Sequence, residues 1–171
     1  MKSRHSYPLF TAVILCLTVA TAFAQTRKEE RAAKRDSMEN VVREIVESGT
    51  FTIEIDRANP MRGASRNLFP SYEMKIEGDK VTTYLPYFGR SYTAPADPRN
   101  LGIELKDYQT IIKQKTNNKK DNIFSFEAKT AGNETCNFTV TVSAGGSVAI
   151  SLISSNRQAI TYSGQIITSD K

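Results

Sequence analysis

From Gly49 onward the chain alternates apolar and polar residues with the two-residue period of a β-strand. The clearest case surrounds Gly78-Asp79, with Tyr72, Met74 and Ile76 before it and Val81, Thr83 and Leu85 after it. A two-residue turn there sets Ile76 opposite Val81, Met74 opposite Thr83 and Tyr72 opposite Leu85, so that all six side chains share one face. Such hairpins restrict this part of the chain to an antiparallel β architecture.

A second hairpin is predicted around Ala144-Gly145-Gly146. The apolar residues Phe138, Val140 and Val142 precede it, and Val148, Ile150 and Leu152 follow. A two-residue loop would set Val142 against Ala149 and mix the two faces, whereas a three-residue loop sets Val142 against Val148. The pattern therefore predicts a three-residue loop.

The remaining strands follow at short intervals. The sequence predicts them at residues 51–55, 101–106, 108–115, 123–128 and 159–167, with a solvated hairpin tip within 113–120. About nine strands with no helical pattern between them indicate a mainly β fold, an antiparallel meander closed into a small lipocalin-like barrel. A β-sandwich is the alternative that the pattern leaves open.

The first 24 residues have the features of a secretory signal. Lys2 and Arg4 precede an apolar run from Leu9 to Ala20, and Ala22-Phe23-Ala24 supplies small residues before a cut. Lipid anchoring at Cys16 is the alternative, disfavoured by the bulky Leu15 before it. We expect export to the periplasm or cell envelope, no transmembrane span once the signal is removed, and three segments: the signal (1–24), an N-terminal helical arm (25–48) and a single β domain (49–171).

The helical arm has recognisable ends. Thr26 and Glu29 have the spacing of a capping box, and Gly49 stands where a helix commonly ends. Apolar residues form a stripe only in the second half, at Met38, Val41, Val42, Ile45 and Val46. We therefore expect the first half to be solvated and the second half to pack on the β domain.

The chain lacks residues that several kinds of catalytic and metal-binding site require. The chain contains one His and two Cys, and the signal would take His5 and Cys16, leaving Cys136 with no disulfide partner. A chain without histidine has no Ser-His-Asp triad and no imidazole zinc site. The carboxylates Glu54, Asp56, Glu73 and Glu77 alternate with apolar residues, as solvent-facing positions do. We expect no catalysis, no cofactor and no metal, and the mild net charge of +5 on an exported chain indicates no nucleic-acid partner.

Two connections are longer than usual, namely residues 58–70 with Arg62 and Arg66, and residues 86–100. The second begins beside the densest aromatic stretch of the chain. The candidate ligand- or partner-binding residues are Tyr84, Tyr87, Phe88, Arg90 and Tyr92, together with Arg57 and Arg157. The three arginines among them would converge near a barrel mouth. The alternative makes Tyr87, Phe88 and Tyr92 a structural plug, with Tyr84 on the outer strand face.

Two stretches of the sequence resemble a known family. They are the run from Leu85 to Arg90 (Leu-Pro-Tyr-Phe-Gly-Arg) with Tyr92, and Asn156-Arg157 before Ile160, Tyr162 and Gly164. The chain resembles the DUF4251 family, exported proteins of unknown function from gut bacteria of the Bacteroides group. The likeness extends over most of residues 30–167. It implies an exported β-rich fold with an N-terminal helix, and it implies no activity or catalytic residue.

Two hypotheses about function follow. The first is a non-catalytic binding module of the periplasm or envelope that holds an unknown small ligand at the barrel mouth. The second is an envelope protein that interacts with another protein or acts as a scaffold. A filled barrel interior and an apolar surface patch would favour the second hypothesis.

Overall fold

A computed structural model describes residues 29–93, 102–130 and 132–168. The predicted signal, Cys16 and Thr26 lie outside these residues, as does most of the second half of the long connection after Leu85. The chain divides into two compact units, Met1–Ser37 and Met38–Lys171. Residues 29–47 form a helix, α1, whose side chains in the first unit are all exposed. Within the described ranges, no helix combines the length and the apolar character needed to cross a membrane.

The second unit contains nine antiparallel strands in a single sheet. They are β1 (Thr50–Pro60), β2 (Arg66–Glu77), β3 (Lys80–Leu85), β4 (Ile103–Gln109), β5 (Lys113–Thr116), β6 (Asn122–Lys129), β7 (Thr135–Val142), β8 (Ser147–Ser154) and β9 (Ile160–Ile166). Their order across the sheet is β4-β3-β2-β1-β9-β8-β7-β6-β5. The predicted antiparallel meander is therefore confirmed, and the one sheet curls into a half-barrel rather than forming a two-sheet sandwich.

Both predicted hairpin registers agree with the structure. Ile76 pairs with Val81 and Met74 with Thr83 across the turn at Gly78-Asp79, and the ladder between β2 and β3 ends there, before the predicted pair of Tyr72 and Leu85. Val142 pairs with Val148, and the amide of Ser143 donates to the carbonyl of Ser147 over 2.9 Å. The loop between β7 and β8 is therefore residues 144–146, the three-residue loop that the alternation of buried residues requires.

The predicted long connection at residues 58–70 is wrong, because β1 extends to Pro60 and β2 begins at Arg66. Pro60 is the last residue of β1, a position that a proline can occupy without breaking the strand. Pro70 lies where pairing lapses, since Ile55 pairs with Tyr72 but Arg57 pairs with Asn67. Residues 68–71 form a bulge in β2 opposite a single β1 residue.

The predicted strands at 101–106 and 108–115 are in fact β4 and the shorter β5. Asp107, with a φ of 46°, makes an irregularity that β4 passes through instead of ending there. β4 pairs with β3, and the next strand, β5, pairs instead with β6 at the other edge of the sheet. Side-chain hydrogen bonds link the end of β4 to β6, and this junction is here called the seam. The Thr110 hydroxyl donates to the carbonyl of Glu127 (2.8 Å), and the amide of Lys129 donates to the Tyr108 hydroxyl (3.1 Å). The tip between β5 and β6 is exposed, as predicted for the lysine-rich stretch.

The second half of α1 packs into one end of the half-barrel. Val42 and Val46 are buried in the core, and Ile45 packs against it. Gly49, with a φ of +70°, follows the helix in the left-handed conformation that glycine adopts without strain. The second half of α1 therefore packs on the β domain as predicted, but two residues of the predicted stripe, Met38 and Val41, stay more than a third exposed.

Gly164 is a point where two strands approach too closely for a side chain. A Cβ there would lie 1.9 Å from the carbonyl oxygen of Glu54 in the neighbouring strand. Gly164→Ala is expected to lower the free energy of unfolding by about 2 kcal/mol, since overpacking forces the backbone to shift. Urea denaturation measures the change. The control is Gly145→Ala, where a Cβ meets no atom within 4 Å, and equal losses in the two variants would contradict the close approach.

Candidate functional site

The aromatic segment after β3 closes the end of the half-barrel opposite α1, here called the mouth end, where β3 and β8 end and β9 begins. Tyr87 packs against the core, and its hydroxyl donates to the carbonyl of Gln158 over 2.7 Å. From the sheet, the Tyr162 hydroxyl donates to the carbonyl of Pro86 over 3.0 Å. Main-chain bonds join the same segments, from the amide of Tyr92 to Asn156 and from that of Gln158 to Arg90. The segment is thus fixed to the β8–β9 connection.

Glycine is required inside this segment for a steric reason. A Cβ at Gly89 would lie 2.2 Å from the hydroxyl oxygen of Tyr87, because the Tyr87 ring folds back over that residue. Gly102 has the same relation to Tyr84, whose ring atoms would lie 2.6 Å from a Cβ. The glycine of the Leu-Pro-Tyr-Phe-Gly-Arg run therefore makes room for the tyrosine that covers the mouth end.

Beneath Tyr87 lies a buried ion pair between Arg157 and Glu134. The Arg157 Nη2 and Nε atoms lie 3.0 and 3.1 Å from Oε2 of Glu134. Their side chains are only 9% and 6% exposed. The Ser154 hydroxyl donates to the other carboxylate oxygen, and the Arg157 guanidinium lies 5.1 Å from the centre of the Tyr87 ring. The carboxylate offsets the buried positive charge, which would otherwise be costly to remove from water.

Three titratable groups around this ion pair are shifted towards their neutral forms. Burial raises the pKa of the Cys136 thiol to about 12, and the Glu134 carboxylate adds to the shift while Arg157 opposes it. Burial also raises the pKa of Tyr162 well above its usual range. The pKa of Tyr87 is raised by burial and partly lowered by Arg157. The Cys136 thiol and the Tyr87 and Tyr162 hydroxyls beside the ion pair are therefore held in their neutral forms rather than as an activated thiolate or phenolate.

The side chains of the other aromatic residues of the predicted site face solvent and do not cover the interior. Tyr84 is 40% exposed on the outer face and its ring lies 5.9 Å from that of Tyr72. Phe88 lies 5.1 Å from the guanidinium of Arg66, and Tyr92 is 65% exposed. Of the three residues in the plug alternative, only Tyr87 covers the interior.

The arginines of the predicted site do not surround one opening. Arg157 is buried, whereas Arg57 is exposed on the outer face and lines an open groove of about 470 Å³ that also contains Asp56 and Asp121. The side chain of Arg90 is exposed, and only its carbonyl, which accepts hydrogen bonds from Gln158 and Tyr87, joins the mouth end. A small anion at the mouth would have to compete with Glu134 for Arg157.

Sequence reasoning missed two features of this region. Glu134 was passed over because it stands alone in a polar turn, and no local pattern marks it as buried. Phe69 is 100% exposed and Met61 is 71% exposed. Phe69 was overlooked because the bulge in β2 breaks the alternation that would otherwise assign its face. The sequence does contain one indication of this exposure, because Phe69 is an apolar residue next to Pro70 in a segment where apolar and polar residues do not alternate regularly.

The carboxylates considered for catalysis lie along the outer face of the β1–β2 hairpin. Glu54 is the cross-strand partner of Glu73, and the Ser71 hydroxyl donates to Glu54 over 2.9 Å. Glu77 pairs with Lys75 at 2.8 Å. These side chains are exposed or half-buried, in agreement with the solvent-facing prediction.

Comparison with known proteins is consistent with this fold. Residues 33–166 match the family model described as a domain of unknown function (DUF4251). The chain belongs to this family. The resemblance inferred from the sequence is thus confirmed over most of the chain. No curated protein matches it by sequence.

A crystal structure of a DUF4251 family protein from Bacteroides eggerthii shares the fold. Its TM-score is 0.54 at 12% sequence identity, and the superposition covers 77% of this chain and 88% of the other. At this identity the match establishes a common architecture for the helix and sheet, and no more than that.

Breaking the buried ion pair should destabilise the fold. Glu134→Gln removes the carboxylate that offsets the Arg157 charge, and the expected loss is about 3 kcal/mol in the free energy of unfolding. Combining it with Arg157→Met should recover part of the loss, because the buried charge is then removed as well. Urea denaturation of the three proteins measures both effects.

The matched control is Glu77→Gln, which breaks an ion pair whose side chains are 51% and 42% exposed. It should cost no more than about 1 kcal/mol. If the Glu134 and Glu77 variants lose the same stability, or if the double variant is no better than Glu134→Gln alone, the account of the buried pair is wrong.

Cys136 should resist alkylation in the folded protein. With a pKa of about 12 and a fully buried side chain, its thiolate fraction at pH 8 is about one in ten thousand. Iodoacetamide labelling, read from the mass of the peptide that contains Cys136, should proceed in denaturant and be at least a hundredfold slower in buffer. Fast labelling of the native protein would contradict the burial.

Proposed function

We propose that this protein is an exported, non-catalytic binding protein of the periplasm or cell envelope, and that it binds its partner with the outer surface at the mouth end. Export is inferred from the signal-like segment 1–24. The absence of a catalytic role is inferred from the residue types of the chain and from the neutral, mutually bonded groups at the mouth end.

The proposal depends on a contrast between the interior of the half-barrel, which is filled, and its rim, meaning the solvent-exposed surface around the mouth end. Large side chains fill the interior, among them Tyr162, Phe138, Met74 and Ile53, each at most 1% exposed. Phe126 and Phe138 stack with ring centres 4.8 Å apart. An interior packed in this way differs from the cavity that a lipocalin-type carrier offers its ligand.

The rim, in contrast, exposes large apolar side chains. Met61, Phe69, Phe88 and Tyr92 range from 37% to 100% exposed, and they belong to the β1–β2 hairpin and to the segment after β3. Soluble proteins seldom leave several such residues exposed in one region unless the surface binds something. This supports the interaction hypothesis over a small ligand held inside the half-barrel.

Site-specific crosslinking in the host tests the proposal. A photoreactive amino acid replaces Phe69, Tyr92 or, as the control, Ile111, which is 82% exposed between β4 and β5, away from the mouth end. Adducts are expected from positions 69 and 92 and not from 111, in the periplasmic or envelope fraction. N-terminal sequencing of the recovered protein should begin at Gln25.

Two outcomes would refute the proposal. Equal adduct yields at all three positions would mean that the rim is not a specific binding surface. Recovery of the protein only from the cytoplasm, with residues 1–24 intact, would remove the envelope location.

A further inference from the structure

The outer part of the β1–β2 hairpin combines exposed apolar side chains with positive charge. We define the hairpin patch as Met61, Arg62, Arg66 and Phe69, all of them exposed. Met61 and Arg62 lie in the turn between Pro60 and Arg66, and Phe69 lies in the bulge where β2 leaves its ladder with β1.

The local charge has a single sign. Residues 57–72 contain three arginines and no Asp, Glu or Lys, and residues 86–93 add Arg90 with no acidic residue. The two segments are neighbours, since the Arg66 guanidinium lies 5.1 Å from the Phe88 ring. The nearest acidic residues along the hairpin, Asp56 and Glu73, lie just beyond the ends of this stretch, and the Glu54 carboxylate reaches its edge, where it accepts a hydrogen bond from Ser71.

The bulge explains how Phe69 comes to be exposed. Its neighbour Leu68 is buried, 7% exposed, so the core already holds the apolar residue that this part of β2 supplies. Residues 68–71 stand opposite one residue of β1, and the extra chain length carries Phe69 out to solvent. A turn and a bulge that present Met and Phe outward make a protruding surface, not a pocket for a partner side chain.

We infer that the hairpin patch docks on an anionic phospholipid surface, with Met61 and Phe69 entering the headgroup region and the arginines contacting lipid phosphates. Protruding apolar side chains suit a yielding interface, because the lipids supply the complementary shape. Arginines around them are attracted to the negative surface potential and extend their charged ends to the phosphates. This inference rests on the proposed function and names the partner of the same surface.

The chain has no tryptophan, so Phe69→Trp introduces a single fluorescent reporter. The protein is purified from its host in the processed form found there. It is mixed with phosphatidylcholine vesicles, or with vesicles of phosphatidylcholine and phosphatidylglycerol. Emission of the reporter should shift to the blue only with the anionic vesicles, and brominated acyl chains should quench it. Ile111→Trp, at an exposed site between β4 and β5, is the control and should show no shift.

Co-sedimentation with the same vesicles separates the two contributions. Two double variants are compared with the unmodified protein. One combines Met61→Ser with Phe69→Ser, and the other combines Arg62→Gln with Arg66→Gln. Each should weaken binding to anionic vesicles by roughly tenfold or more. The matched controls are Ile111→Ser between β4 and β5, and Lys113→Gln with Lys115→Gln on the exposed strand β5. These should change binding by less than about twofold, because the residues lie outside the docking surface.

The inference is overturned if the unmodified protein does not bind anionic vesicles, if the position 111 reporter shifts as much as the position 69 reporter, or if only the arginine variants matter. The last result would mean non-specific attraction of a cationic protein. Crosslinks from position 69 to a protein, together with no vesicle binding, would overturn the lipid assignment and leave the proposed function standing.

Discussion

The sheet depends on the pairing of the first strand with the last. β1 pairs with β2 on one side and with β9 on the other, and residues more than a hundred positions apart, such as Ile53 and Ile166, are brought together. Without that pairing the strands would form two separate meanders, β1 to β4 and β5 to β9, each with one unprotected apolar face. The absence of a side chain at Gly164 allows this contact, since the carbonyl of Glu54 occupies the space that a Cβ would need.

The two ends of the half-barrel are closed by different chemistry. At one end α1 inserts Val42 and Val46, whose burial is favourable wherever water is excluded. At the mouth end the cover is polar, and Tyr87, Arg157 and Glu134 hold one another through directed contacts. An apolar plug tolerates small changes of position, whereas a hydrogen-bonded ion pair fixes one arrangement. Residues 86–92 are therefore fixed in position although they belong to none of the nine strands.

The sequence was most informative where alternation was regular. The registers of the β2–β3 and β7–β8 hairpins follow from the side-chain period and the loop length, since a slip of one residue would turn the buried face outward. The same reasoning failed at residues 58–70, because bulges change the period without ending the strand. For the candidate site, the segment around Tyr87 was found from its composition. Its partner Glu134 was not, because ion pairs between residues distant in sequence leave no local pattern.

The seam between β4 and β6 has a consequence for how copies of this chain meet one another. A sheet that ends in free edges offers unpaired amides and carbonyls to any other strand, and such edges favour aggregation. Here the hydroxyls of Thr110 and Tyr108 already engage Glu127 and Lys129 on the β6 side. The edge strand β5 is only four residues long, and it carries Lys113 and Lys115. The open side of the half-barrel is thereby a poor template for adding strands, which keeps concentrated protein from joining edge to edge.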